Sequence, residues 1–293
     1  MPGKPSCVHL PAPSFGLNGA TTGPADVATD VRVAAAAGYQ WVEVRDAKLE
    51  AYLAAGRPLA ALRDLARRAG VRVLSVNALE DATLHTGRAL EARRARMALL
   101  CQWAAALEAP YVVVVPSPLP AGGLPEARVR ALTVAALRAY ATVAHAHGVQ
   151  VGFEFLGVPT CSVSTLRAAR TVLAELDDPR VGLVVDAFHF YVGGSRLEDL
   201  DGLRGHDVFI VHLDDAPDDA PSRLTDAQRL LPGHGALPLQ PLVARLQALG
   251  YRGAYSLELF RPEYWRWEPE VLARRGLAAM QALFEPGAHG SPA

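Results

Sequence analysis

The chain has 293 residues, 51% of them hydrophobic and 20% charged, with a formal net charge of −1 at pH 7. That is enough apolar material for one large core, and the balanced charge argues against affinity gained mainly by neutralising phosphates. The three cysteines, Cys7, Cys101 and Cys161, form no CxxC pattern and no disulfide framework, and no apolar run approaches the roughly 20 residues of a membrane span. The N-terminal MPGKPSCVHL lacks the apolar stretch of a secretory leader, so the expectation is a soluble cytoplasmic protein.

Short apolar runs that read as strands alternate with longer Ala-, Leu- and Arg-rich runs of helical period. Strands are expected at 7–10, 40–44, 71–76, 111–115, 149–155, 181–186, 207–213 and 254–259. Helices are expected near 25–37, 58–69, 88–108, 125–147, 163–176, 195–203, 238–249 and 269–284. Gly38, Gly70, Gly148 and Gly250 each end a helical run just before a strand, the usual left-handed C-cap leading into a short loop. Eight strand–helix units in a chain of this length fit an α/β fold, a single-domain (β/α)8 TIM barrel over residues 1–284, with a disordered tail at 285–293. The rival, a doubly wound open sheet, calls for a glycine-rich phosphate loop after an early strand, and no GxGxxG or GxxxxGK[ST] occurs there.

Such barrels build their active sites at the C-terminal ends of the strands. Read in order, those positions are polar: Glu43 and Arg45, Asn77, Glu154, Asp186 with His189 just beyond, His212 and Glu258. Two readings stand for several of them. Glu43 either faces the barrel or alternates outward, Asn77 is a site residue or a turn residue, and His189 is a site residue or a satisfied core histidine. Glu154, Asp186, His212 and Glu258 are different, because each is a metal-competent group among apolar neighbours and they recur on four successive strands. Three carboxylates and an imidazole facing one another repel unless a cation lies between them. One divalent metal ion (Mn, Zn, Mg, Co or Fe(II)) resolves this, and a set of oxygen ligands with one nitrogen does not choose among those metals.

With the strings FEFLG, VVDAFHF, VHLDDAP and LPGHG around it, this constellation resembles the xylose-isomerase-like TIM-barrel superfamily of sugar isomerases and epimerases. The resemblance spans roughly residues 30 to 280 and is strongest toward the inosose isomerases, through VEVRDAKLEAYL, VLSVNAL, YVVVVPSP, VGFEFLGVPTCSV and SLELFRPEYW. It implies metal-dependent interconversion of keto-cyclitols or related ketoses through a cis-enediol. Glu154 and Glu258 would move the proton, Asp186 and His212 would mainly hold the metal, and His189 would hydrogen-bond the oxygen where charge builds. Arg45, Asn77 and Arg223 would bind hydroxyls, although Arg223 reads equally well as a solvated loop arginine.

The same metal box also serves dehydratases, hydroxypyruvate isomerases and ketose 3-epimerases. An endonuclease-IV-like repair nuclease is a remote alternative; it needs further histidines on strands 3 and 4, where VNAL and VPSP have none. The expected partner is therefore a small ketose or inosose, with no nucleic acid and no membrane, and a homodimer or homotetramer is an open possibility. Tyr264, Trp265 and Trp267 either roof a bound ring or pack on a second subunit, with the interface favoured. His234 stands in LPGHG where many family members carry an acidic or amide residue, and Cys161 reads as a small packing residue.

Overall fold

The computed structural model describes residues 12–285. Eight parallel strands close into a barrel in sequence order: β1 Ser14–Asn18, β2 Trp41–Arg45, β3 Arg72–Leu79, β4 Tyr111–Val114, β5 Gln150–Glu154, β6 Val181–Asp186, β7 Val208–Leu213 and β8 Ala254–Leu257. Between them run α1 Val27–Ala37, α2 Asp46–Ala54, α3 Leu59–Ala69, α4 Gly87–Ala106, α5 Glu126–Ala146, α6 Leu166–Leu176, α7 Ala187–Val192, α8 Leu239–Ala248 and α9 Pro269–Ala282. The expected (β/α)8 barrel is the fold. Among the described residues no helix is long and apolar enough to cross a membrane.

The strands read as unbroken apolar runs because both of their faces are buried. Val113, Val184 and Ile210 fill the barrel interior with Leu74 and Ala254. Their neighbours Val112, Leu183 and Val211 point the other way, into the layer shared with Leu62, Leu100, Leu137 and Leu242 of the helices. This period-two alternation carries Glu154, Asp186 and His212 to the inner face of their strands. Asp186 pairs with His212, whereas Glu154 pairs with Val184, and Ser256 pairs with His212. Glu154 and Glu258 are therefore each offset by two residues in the ladder, and the tilt of the barrel strands brings the four groups together. Gly38 and Gly70 close α1 and α3 in the left-handed conformation, as their positions predict.

The elements observed differ from the expected ones in places. The strand expected at 7–10 lies outside the described residues, as does the tail from 286 onward, and β1 is Ser14–Asn18. Asp46–Ala54 forms a helix without a sequence signal, since it follows β2 with no loop and buries only Leu49 and Tyr52. The helix expected at 195–203 is a single 3-10 turn, Leu197–Leu200. The helix after β6 instead starts at once, because the Asp186 carboxylate accepts the His189 backbone N–H at 2.7 Å and caps α7. Finally, β3 runs on to Leu79, so Asn77 is a buried strand residue and not part of a turn.

Candidate metal centre

Glu154, Asp186, His212 and Glu258 converge at the C-terminal mouth of the barrel, all buried, with one ligand atom from each within 4.8 Å of the others. His212 Nδ1 lies 3.1 Å from Glu154 Oε1, 3.2 Å from Glu258 Oε2 and 3.7 Å from Asp186 Oδ2. A tetrahedral ion with bonds of about 2.1 Å needs donor atoms about 3.4 Å apart, so the group is able to hold one divalent ion. The carboxylates demand positive charge at their centre. Burial works against charge on His212, yet Glu258, Glu43 and Glu154 outweigh it and push the imidazole well above its usual range. Burial pushes the Glu154 carboxyl up to about 7, with His212 acting against the shift.

Around this group lies a second set of contacts. His212 Nε2 faces Glu43 Oε1 at 3.1 Å, which leaves Nδ1 free to bind an ion. Glu43 faces the barrel interior, fully buried, and accepts Ser75 Oγ at 2.7 Å. Asn18, at the end of β1, donates its amide to Glu258 Oε1 at 2.8 Å and to Glu43 Oε1 at 3.3 Å, while its own oxygen accepts the Ala20 N–H. Burial raises the Glu43 carboxyl, but the charge and hydrogen bond of His212 win and hold it at about 2.

Arg229 is the largest fully buried side chain here. Its Nη1 donates to Asp186 Oδ2 at 2.6 Å, to Asp214 and to Glu258 Oε2 at 3.3 Å. Its Nη2 reaches Asp226 Oδ1 at 2.8 Å and His189 Nε2 at 3.0 Å. A guanidinium can only donate, so His189 Nε2 is the acceptor and the ring proton sits on Nδ1. Burial holds His189 below its usual pKa, with Asp186 opposing, which agrees with a neutral ring. His189 Nδ1 and Asn77 Nδ2 are both buried without a partner, and both residues line a cavity of about 370 Å³ with Arg45, Glu154, Arg229 and Glu258. A larger cavity, about 600 Å³, lies on the flank of the barrel between α6 and residues 203–209 and holds none of these groups.

A family model described as xylose isomerase-like TIM barrel matches residues 31–283. The chain belongs to that family. The inosose isomerase of Halalkalibacterium halodurans is 33% identical over 234 residues, 80% of this chain and 82% of that protein. That of Bacillus velezensis is 31% identical over 247 residues, covering 84% and 88% of the two chains. A solved structure of the IolI protein with a bound zinc atom matches with a TM-score of 0.88 at 28% identity, over 92% of this chain and 97% of that one.

In this xylose-isomerase-like barrel, Arg45 sits at the cavity rim, donating to Asn77 Oδ1 at 2.8 Å and facing Glu80 at 3.3 Å and Glu258 at 3.6 Å. Arg223 does not join the site: its side chain is 69% exposed and pairs with Asp219 in the same loop. The arginine of that loop which does enter is Arg229. Sequence reasoning passed over it because a lone arginine between Gln228 and Leu230 carries no sign of burial. Asn18 was missed because the first strand was expected too early. Trp265 donates its indole N–H to the Ala20 carbonyl at 3.0 Å, and the Tyr264 hydroxyl accepts the Leu231 N–H, so these aromatics join loops within the chain. Cys161 is buried, its thiol pushed up to about 11 by burial, and it packs as expected.

Proposed function

We propose that this protein is a divalent-metal-dependent isomerase that interconverts keto-cyclitols (inososes) or closely related ketoses. The observation that carries the reading is the pairing of Glu154 and Glu258 in one buried metal-competent group with unpartnered buried donors on the wall beside it. The inosose isomerases and the zinc-bearing IolI protein support it as relatives. Glu154, Asp186, His212 and Glu258 would hold the ion. When bound, it would act as a Lewis acid on the substrate carbonyl and the neighbouring hydroxyl.

Isomerisation moves a carbonyl to the adjacent carbon. One glutamate takes the proton from the hydroxyl-bearing carbon, and the electron pair left behind forms the C=C bond of an enediol. A carboxyl then returns a proton to the former carbonyl carbon, and the hydroxyl proton passes between the two oxygens. His189, with its Nδ1–H unpaired and Nε2 held by Arg229, donates to the oxygen where negative charge builds. Asn77 Nδ2 and Arg45 bind further hydroxyls. The cavity wall carries Glu80, Asp81, Glu154, Asp226 and Glu258 against Arg45 and Arg229. An excess of carboxylates suits a neutral polyol better than a phosphorylated or carboxylated substrate. On this reading the protein works in the cytoplasm on a small molecule and needs no nucleic acid.

The test is proton exchange in deuterated water, followed by NMR across a panel of inososes and free ketoses, with and without added Mn(II) or zinc. Metal-dependent deuterium incorporation next to the carbonyl of an inosose is expected. Exchange and inversion at C3 of a free ketose alone would make the protein an epimerase, and loss of water from the substrate would make it a dehydratase.

A further inference from the structure

The LPGHG segment has no role among the ligands or donors above. His234 is exposed and does not line the cavity. The reason for the motif lies in Asp215, next to the Arg229 partner Asp214 and 1% exposed. Its Oδ2 accepts the backbone N–H groups of Gly233 and Gly235, each at 2.9 Å, and its Oδ1 accepts those of Ala216 at 2.8 Å and Leu237 at 2.9 Å. One carboxylate thus closes a ring of four amides. The glycines permit it: Gly233 has φ +77°, and a Cβ on Gly235 would collide with the Ala216 carbonyl oxygen and the Asp215 carboxylate. The Asp215 backbone also exchanges both hydrogen bonds with Leu230, N to O at 2.9 Å and O to N at 2.7 Å. Leu230 is the residue after Arg229.

We infer that Asp215 is a positioning residue: it clasps the loop between β7 and α8 so that Arg229 is held against Asp186 and His189. The inference rests on the isomerase reading, because what Arg229 holds there is the donor tautomer of His189. Asp215 touches neither the metal group nor the cavity. A charged acceptor of several backbone amides is a strong anchor, and such an anchor fixes a long loop that has little core of its own. Arg229 would otherwise find water and other carboxylates within reach of a mobile loop. The clasp leaves it one arrangement.

The test uses Asp215→Asn, which keeps the size but turns an NH2 group toward two of the four amides. Gly235→Ala is the second variant: its Cβ forces the Ala216 carbonyl and the Asp215 carboxylate apart from the loop, loosening the same clasp while the carboxylate keeps its charge. Three quantities are read on full-length, zinc-loaded protein: turnover of the best inosose, zinc content, and hydrogen exchange along the chain. Each variant should lose about 10- to 100-fold in kcat, in the range for partners that orient a working group, while zinc content stays at the wild-type level. Faster exchange should be confined to residues 216–237. In an Arg229→Ala background, Asp215→Asn should cost nothing further, because its effect passes through Arg229. Wild-type kcat in both variants, or an additive loss in the double variant, would overturn the inference. So would faster exchange throughout the barrel with a normal kcat per folded molecule. A wild-type protein inactive on every inosose would instead refute the isomerase reading, and exchange confined to 216–237 would still report whether the clasp exists.

Discussion

At the mouth of the barrel the contacts of each carboxylate separate Asp186 from the two glutamates. Glu154 and Glu258 differ from Asp186 in that no guanidinium takes Glu154, and Glu258 gives Arg229 only a 3.3 Å contact. Glu154→Gln and Glu258→Gln should therefore abolish proton exchange, because an amide keeps a coordinating oxygen but accepts no C–H proton; metal content measured alongside separates lost chemistry from lost metal. His189→Ala should keep the metal and lose on the order of 10² to 10³ in rate, the cost of one donor to a developing oxyanion. If that variant loses the metal instead, His189 is a ligand. A separate buried pair, Asp30 with Lys48, sits under the loop after β1, with Lys48 Nζ 2.9 Å from the carboxylate and Thr22 Oγ1 donating to it. Burial raises the Asp30 pKa from 3.8 to about 6, with Lys48 opposing. A carboxyl raised in the folded state contributes stability below its unfolded pKa and loses it as pH rises through the folded one. Relative to Asp30→Asn, the wild type should thus lose on the order of 3 kcal/mol between about pH 4 and pH 7, read by urea unfolding. A pH-independent difference would contradict this.

Elements meet at the mouth through short polar staples. Ser117, after β4, accepts the Thr83 N–H at 2.9 Å and the Leu84 N–H at 3.2 Å, and its own N–H goes to Thr83 Oγ1 at 3.0 Å. Its carbonyl takes the Ser162 N–H from the loop after β5. Three loops are joined in this way, and Pro116 and Pro118 beside Ser117 line the cavity. Ser117→Ala leaves two amide donors without their acceptor, so it should cost about 1–3 kcal/mol in chemical denaturation. Substrate KM should rise as that wall loosens. A neutral result would mean that water replaces the hydroxyl at no cost.

At the scale of the whole molecule, the barrel brings three buried carboxylates and an imidazole together in a group able to hold one ion. These groups come from β5, β6, β7 and the residue after β8, so a bound metal would tie half of the barrel to itself. Metal binds the folded chain in preference to the unfolded one, and zinc at 100 times its Kd should add about 2.7 kcal/mol to stability. Elemental analysis should find one ion per chain, and a chelator should lower the Tm. Unchanged Tm in chelator together with no detectable metal in freshly purified or metal-supplemented protein would refute the centre.

How much of this was legible in the sequence depends on the range of the interactions involved. Local signals were enough for the barrel itself: apolar runs of strand length, helical runs closed at Gly38 and Gly70, and polar residues ending the strands. They were enough, too, to single out Glu154, Asp186, His212 and Glu258, because an acid or imidazole amid valines stands out along one strand. Whether Glu43 faced in or out was left open, and the alternation of β2 with the register of its neighbours decided it. Asn18 and Arg229 were out of reach. Asn18 matters only because β1 closes the barrel against β8, and Arg229 only because Asp215 pulls its loop back over the mouth. Chain-local patterns record what each segment prefers, whereas burial and pairing of a charge depend on groups far away in sequence, and these meet only once the barrel has closed.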